Sequence, residues 1–138
     1  MRFMVLVKPG YEIDDVTTIP ELGNFEEMVK LNDEMVAAGA MLAGGGLQPT
    51  SKAVRIRYGG GRTTVVDGPF TETKELIGGF SIIEAESRDE AVEWMKRAPF
   101  GTGEVEIREI FHMEVFGDLL SPQTREHEPS ERADSQGS

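Results

Sequence analysis

The sequence predicts one α+β domain over residues 1–117, followed by a polar acidic tail over 118–138, and three observations carry the prediction. Residues 2–8 are apolar on both sides of a strand, with Phe3, Val5 and Val7 on one face and Met4 and Leu6 on the other, so both faces need a cover. Two later segments place apolar residues on one stripe of a helix, and strand-like sequence flanks each of them. Between them, residues 54–66 alternate with a period of two around Gly59-Gly60-Gly61, which reads as a hairpin.

Taken in order, residues 9–23 follow the first strand with two prolines, two glycines and a run of acids, and read as a loop. The first helix runs from Asn24, its N-cap, to Ala38, and Gly39 ends it. On a helical wheel Phe25, Met28, Val29, Met35 and Val36 share one stripe, with Glu26, Glu27, Lys30 and Glu34 away from it. Asn32 falls in the middle of that stripe. An unpartnered amide in a core costs about 1–3 kcal/mol, so Asn32 is expected to have a hydrogen-bond partner there.

A strand over 41–43 leads into Gly44-Gly45-Gly46, where the backbone bends sharply or is closely approached. This triplet is no dinucleotide fingerprint, because the G-x-G-x-x-G spacing is absent and no helix follows. After the hairpin, Asp67-Gly68-Pro69-Phe70 breaks the ladder, and residues 76–84 form a strand with a bulge expected at Gly78-Gly79. Ser87-Arg88-Asp89-Glu90 is a capping box. It opens a second helix whose buried stripe is Ala91, Trp94, Met95 and Ala98, and Pro99 stops it. Residues 103–113 supply the last strand or pair of strands, with Val105 and Ile107 opposite Glu106 and Arg108.

Strand, helix, strand, inserted hairpin, strand, helix, strand is the order of a ferredoxin-like split βαβ fold. Both helices of that fold pack on one sheet face and leave the other bare. The second apolar face of residues 2–8 therefore predicts a second copy of the chain against it, a homodimer.

The net charge of −11 argues against nucleic acid or an anionic membrane as principal partner, since phosphate binding needs a basic surface. Five acids and two bases give the tail −3 and leave −8 on residues 1–117. There is no cysteine, hence no disulfide and no thiolate metal centre. Two histidines, His112 and His127, are too few for most zinc sites, and neither a metal nor a cofactor is expected. The apolar run between Arg2 and Lys8 is too short for a signal segment or a membrane span, and a cytoplasmic location is the expectation.

The stretch over residues 67–80, DGPFTETKELIGGF, resembles the hallmark of the DGPF branch of the YCII-related proteins. Residues 1–7, 38–48, 54–57, 91–99 and 105–108 are similar to that family as well, so the resemblance spans most of residues 1–117. It implies a ferredoxin-like subunit forming a dimeric α/β barrel, with a pocket on the sheet side near the motif. It implies no settled reaction. Some members are similar to genes found beside alternative sigma factors, which suggests regulation as readily as catalysis. More distant relatives are proposed to use a His-Asp pair, but no histidine falls in the first helix or its loops here. Ala98 stands where many relatives look to have cysteine. Neither mechanism carries over.

Asp67 is the first candidate for chemistry. In the plain reading its carboxylate accepts backbone N–H groups of the following turn. In the functional one it is an acid, base or ligand anchor at a pocket mouth, tuned by Arg55, Arg57 or Lys74. Gly68 and Pro69 read as backbone geometry, and Phe70 as packing before stacking platform. Thr73 and Lys74 either belong to a solvated loop or offer a hydroxyl and a cation to a ligand. Arg55 and Arg57 share one strand face, as do Glu106 and Arg108. If the opposite apolar faces meet the helices, these charges line the shared side of the sheet, as cross-strand ion pairs or as a pocket for a small acid. The function expected is binding of a small polar or anionic metabolite, with or without catalysis. The alternative is a non-catalytic regulatory or interaction protein.

Overall fold

The strand that is apolar on both faces lies inside the sheet of a computed structural model, which describes residues 1–11, 25–72 and 75–112. This is β1 (Arg2–Lys8), followed by α1 (Phe25–Ala37), β2 (Met41–Gly46), β3 (Val54–Gly59), β4 (Arg62–Asp67), β5 (Gly79–Glu84), α2 (Arg88–Lys96) and β6 (Glu104–Glu109). The fold is α+β. Its main sheet has the order β2-β5-β1-β6, and every neighbouring pair is antiparallel.

Register sorts the side chains. Phe3 faces Ile83, Val5 faces Ser81 and Ile107, and Val7 faces Val105 and Gly79, which puts this set on one side. Both helices cover that side: Leu31 and Met35 of α1 and Ala91 of α2 are buried with Phe3, Val5 and Ile83, and Trp94 and Met95 pack against them. Phe3 and Val5 are fully sealed, and each such side chain contributes about 1.5–3 kcal/mol. On the other side Met4 meets Ile82 and Arg108, and Leu6 meets Phe80 and Glu106; Met4, Leu6, Phe80 and Ile82 are half-buried.

Both helix ends follow from sequence. Gly39 takes φ +73°, a region that suits glycine, and donates its N–H to the Val36 carbonyl at 3.0 Å. Ala40 N–H reaches the Met35 carbonyl at 2.7 Å, completing a Schellman motif with both residues in the core. Ser87 Oγ accepts the Glu90 N–H at 3.1 Å, and the Glu90 carboxylate accepts the N–H of Glu86, also at 3.1 Å, one residue earlier than in the standard box. Asn24, the expected N-cap of α1, lies outside the described residues, as do most of the 9–23 loop, His127 and the tail.

Four expectations are corrected. α1 leans on the sheet by its Leu31–Met35 edge alone, so Phe25, Val29 and Val36 stay exposed. Asn32 is exposed too, and water rather than a core partner can satisfy its amide. No bulge falls at Gly78-Gly79: Gly78 N–H bonds the Val7 carbonyl at 2.8 Å and its own carbonyl takes the Leu47 N–H at 3.0 Å. The irregularity is across the strand, between Met41 and Ala43. Finally, the hairpin does not join the main sheet. A 3-10 turn at Thr50–Lys52 precedes it, β3 and β4 pair with each other as a separate sheet, and Val54 and Ile56 face water instead of a helix.

Candidate functional site

The absence of side chains makes the principal cavity. At the β2–β5 edge the positions facing α1 are Gly44, Gly46, Gly79 and Ser81, so nothing bulky fills the gap between helix and sheet. The cavity left there measures about 590 Å³. Its walls come from Met28, Leu31 and Met35 of α1, Met41 of β2, Met95 of α2, and Phe100. Four of the chain's seven methionines line it, and their unbranched thioethers adapt to irregular ligands. Its polar groups include Asn32, Ser81, Thr102, Tyr11 and Glu104. Among the described residues neither Asn32 nor Ser81 spends its side chain on a protein partner. Two floor glycines are closely approached by backbone: a Cβ at Gly44 would lie 3.2 Å from the Phe80 carbonyl oxygen and one at Gly79 3.1 Å from that of Gly45, so a larger residue needs the facing strand to give by a few tenths of an ångström. At Gly46 the nearest atom would be the Gly78 carbonyl oxygen at 4.0 Å, an ordinary van der Waals contact that leaves room for a methyl.

The DGPF loop is a separate construction at the base of the hairpin. Gly68 N–H donates to the Ala53 carbonyl at 2.9 Å, and the Thr50 hydroxyl donates to the Phe70 carbonyl at 3.1 Å while accepting the Phe70 N–H at 3.0 Å. The Gly68–Pro69 bond is cis. A Cβ at Gly68 would lie 1.8 Å from the Thr50 carbonyl oxygen, so only glycine fits. These bonds use up the N–H groups that Asp67 was expected to cap. Asp67 is exposed, and among the described residues its carboxylate has no partner. The half-buried Phe70 carries the Arg55 guanidinium over its ring, 3.8 Å from the centroid, and the same guanidinium lies 4.0 Å from the Glu75 carboxylate.

The candidate residues are therefore only partly brought together. Arg55, Asp67, Gly68, Pro69 and Phe70 share the hairpin base, with Arg57 one step along the Arg55 face. Thr73 and Lys74 lie outside the described residues. Arg108 stands on β6, at the opposite edge of the main sheet from β2. There it shares Glu106 with Lys8, at 3.8 Å and 2.8 Å. The hydrogen bond from Lys8 holds Glu106 below the usual carboxylate range, and the same bond raises Lys8 above the usual lysine range. The cavity lies on the helix side of the sheet, not on the side expected for the pocket, and its described lining includes neither Asp67 nor an arginine. Asn32 and the glycine floor were missed as site residues. The available signal was a polar residue inside an apolar stripe, together with two glycine runs, 44–46 and 78–79, that pair across strands.

Among the described residues no three of His, Asp and Glu converge as a metal site requires, and no helix is long and apolar enough to cross a membrane. The class is thus a two-layer α+β protein with a glycine-floored cavity between its layers. Residues 1–114 match the family model of the YCII-related domain, and the chain belongs to that family. An uncharacterized protein of Rhizobium meliloti (strain 1021) is 40% identical over 78 residues, covering 54% of this chain. The match spans 63%, under two thirds, of that relative's length. Among solved structures the chain is similar to 5-chloro-2-hydroxyhydroquinone dehydrochlorinase from Burkholderia phenoliruptrix AC1100, in complex with 2,5-dihydroxybenzoquinone. The TM-score is 0.49 at 21% identity, covering 83% of this chain and 98% of that one.

Proposed function

We propose that this chain binds a small organic molecule in the cavity between α1 and the glycine floor, and does so as a ferredoxin-like subunit of a dimeric α/β barrel. The observation that carries the binding reading is the floor itself: two neighbouring cross-strand pairs of small residues, Gly44 with Ser81 and Gly46 with Gly79, leave a cavity of ligand size. The lining is mostly apolar and rich in methionine, with a few hydrogen-bonding groups. That suits a compact, largely apolar or ring-bearing molecule carrying one or two polar groups better than a strongly anionic metabolite. The dimer reading rests on Met4, Leu6, Phe80 and Ile82, which form an apolar strip on the face the helices leave open.

Binding is favoured over catalysis because Asp67, the proposed acid–base group, belongs to the hairpin base and not to the cavity lining. A thermal-shift screen of neutral aromatic compounds and small acids tests this on wild type, Gly46→Leu and Asp67→Ala. A ligand at a hundredfold excess over its Kd stabilises by about 2.7 kcal/mol, roughly 5–10 °C for a chain of this size. The shift is expected in wild type and Asp67→Ala and lost in Gly46→Leu, whose side chain fills the floor. Loss in Asp67→Ala with retention in Gly46→Leu would move the site to the DGPF loop.

A further inference from the structure

The two edges of the main sheet differ sharply in sequence. β6, at one end, carries Glu104, Glu106, Arg108 and Glu109, charges of the kind with which natural edge strands turn other strands away. β2, at the other end, reads Met-Leu-Ala-Gly-Gly-Gly and has neither a charge nor a proline. Gly44, Gly45 and Gly46 are exposed, and among the described residues no strand pairs with their outer side, since the hairpin that follows forms a sheet of its own. A neutral edge without side chains is open to another backbone.

Register decides which groups that edge offers. Leu47 N–H bonds the Gly78 carbonyl at 3.0 Å, in step with the pairing of Gly45 with Phe80 and of Gly46 with Gly79. Bonded and non-bonded positions alternate along an antiparallel pair. Gly45 and Leu47 therefore turn their backbone groups toward β5, while Gly44 and Gly46 turn theirs outward. The same two glycines are the ones that β2 places on the helix side, in the floor of the cavity. Residues directly opposite each other in a sheet share a face, with Cβ atoms roughly 4.5–5.5 Å apart. An amino-acid residue bonded to Gly46 through its own N–H and carbonyl must hence point its side chain to the helix side, where the chamber of about 590 Å³ opens. One register satisfies both the backbone and the side chain.

We propose that the cavity takes the side chain of an extended peptide whose backbone adds to the free edge of β2, in register with Gly46. This rests on the binding reading of the cavity and deepens it, because it names the class of the ligand: an apolar amino-acid residue flanked by amides. The methionine-rich walls suit an aromatic or long aliphatic side chain. With no Cβ at Gly46, nothing on the floor stands between the bound residue and α1. The net charge of −11 disfavours an acidic peptide.

The probe is N-acetyl-L-phenylalanine N-methylamide, with two analogues beside it. One is the depsipeptide in which an ester oxygen replaces the phenylalanine N–H; the other, 2-phenylethanol, offers the ring alone. NMR titrations of the full-length chain follow the methyl signals of Met28, Met35, Met41 and Met95 and the amide signal of Gly46. All three compounds should move the methionines. The amide probe should also shift the Gly46 N–H and slow its exchange with solvent, 2-phenylethanol should not, and the depsipeptide should bind about tenfold more weakly than the amide. Gly46→Ala and Gly46→Pro separate backbone from volume, since both add carbon to the floor and only proline removes the N–H, a loss that an edge strand tolerates. Proline should cost the amide probe about tenfold more affinity than alanine does, and should cost 2-phenylethanol no more. Urea midpoints check that both variants fold; if Gly46→Pro does not, the depsipeptide comparison on wild type still decides. If amide and depsipeptide bind alike and the Gly46 N–H stays put while the methionines move, strand addition is overturned and the cavity reading stands. If no compound moves the methionines, both are overturned. A Gly46 N–H already protected without a probe, and more so at higher protein concentration, means that a second copy occupies the edge, which also overturns the proposal.

Discussion

Glu106 neutralises two cations on the open sheet face, and its protonation is the clearest pH dependence a single residue offers. Its carboxylate is held below its usual value near 4.5, so its contribution is complete above that value and lost as pH falls through the lowered one. Lys8 is raised above its usual 10.5, so its contribution is complete below that and lost as pH rises through the raised value. Glu106→Gln should therefore be less stable than wild type across the neutral window and converge with it at both extremes. Urea unfolding from about pH 3 to about pH 11 reads this, and added salt should shrink the gap because the pair is open to solvent. Gly68 makes a sharper claim. An added methyl overlaps the Thr50 carbonyl oxygen, so Gly68→Ala should cost at least about 1–3 kcal/mol, while Gly46→Ala, whose methyl makes only an ordinary contact, should cost far less. That Gly68 serves backbone geometry was legible from Asp-Gly-Pro alone. That Thr50 would take the Phe70 N–H was not, because the two are 20 residues apart and no local pattern marks the pairing.

Elements were read well where local rules govern and poorly where a neighbour decides. The Ser87 cap and the Gly39 terminator are local, and both hold in the structure. Ser87→Ala should cost about 1 kcal/mol through its lost bond to the Glu90 N–H. The apolar width of α1 was also visible, but which edge of it meets the sheet depends on how the helix leans, and periodicity is silent on that. The consequence can be measured along one helix by chemical denaturation. Met35→Ala, fully buried, should cost about 2–5 kcal/mol, whereas Val36→Ala, one residue on and exposed, should stay within about 0.5 kcal/mol. The hairpin repeats the lesson. Its alternation identified two strands correctly, yet alternation says only that two faces differ, and the 3-10 turn before it carries both away from the helices.

At the scale of the molecule, the two-sided apolar pattern of β1 called for a cover on each sheet face, and the helices supply one of the two, over Phe3 and Val5. The same pattern predicts a partner on the open face. If that partner is a second copy, the thermal midpoint of wild type should rise with protein concentration, and that of Leu6→Glu should not. The cavity escaped the reading because its cause is spread over two glycine runs more than thirty residues apart, joined only when β2 and β5 come into register. Its boundary has a further consequence. A chamber whose depth is set largely by hydrogens can be shortened in small steps. If the cavity holds the proposed ligand, alanine, valine and leucine at position 46 should reject progressively smaller guests, a size limit graded by one floor position.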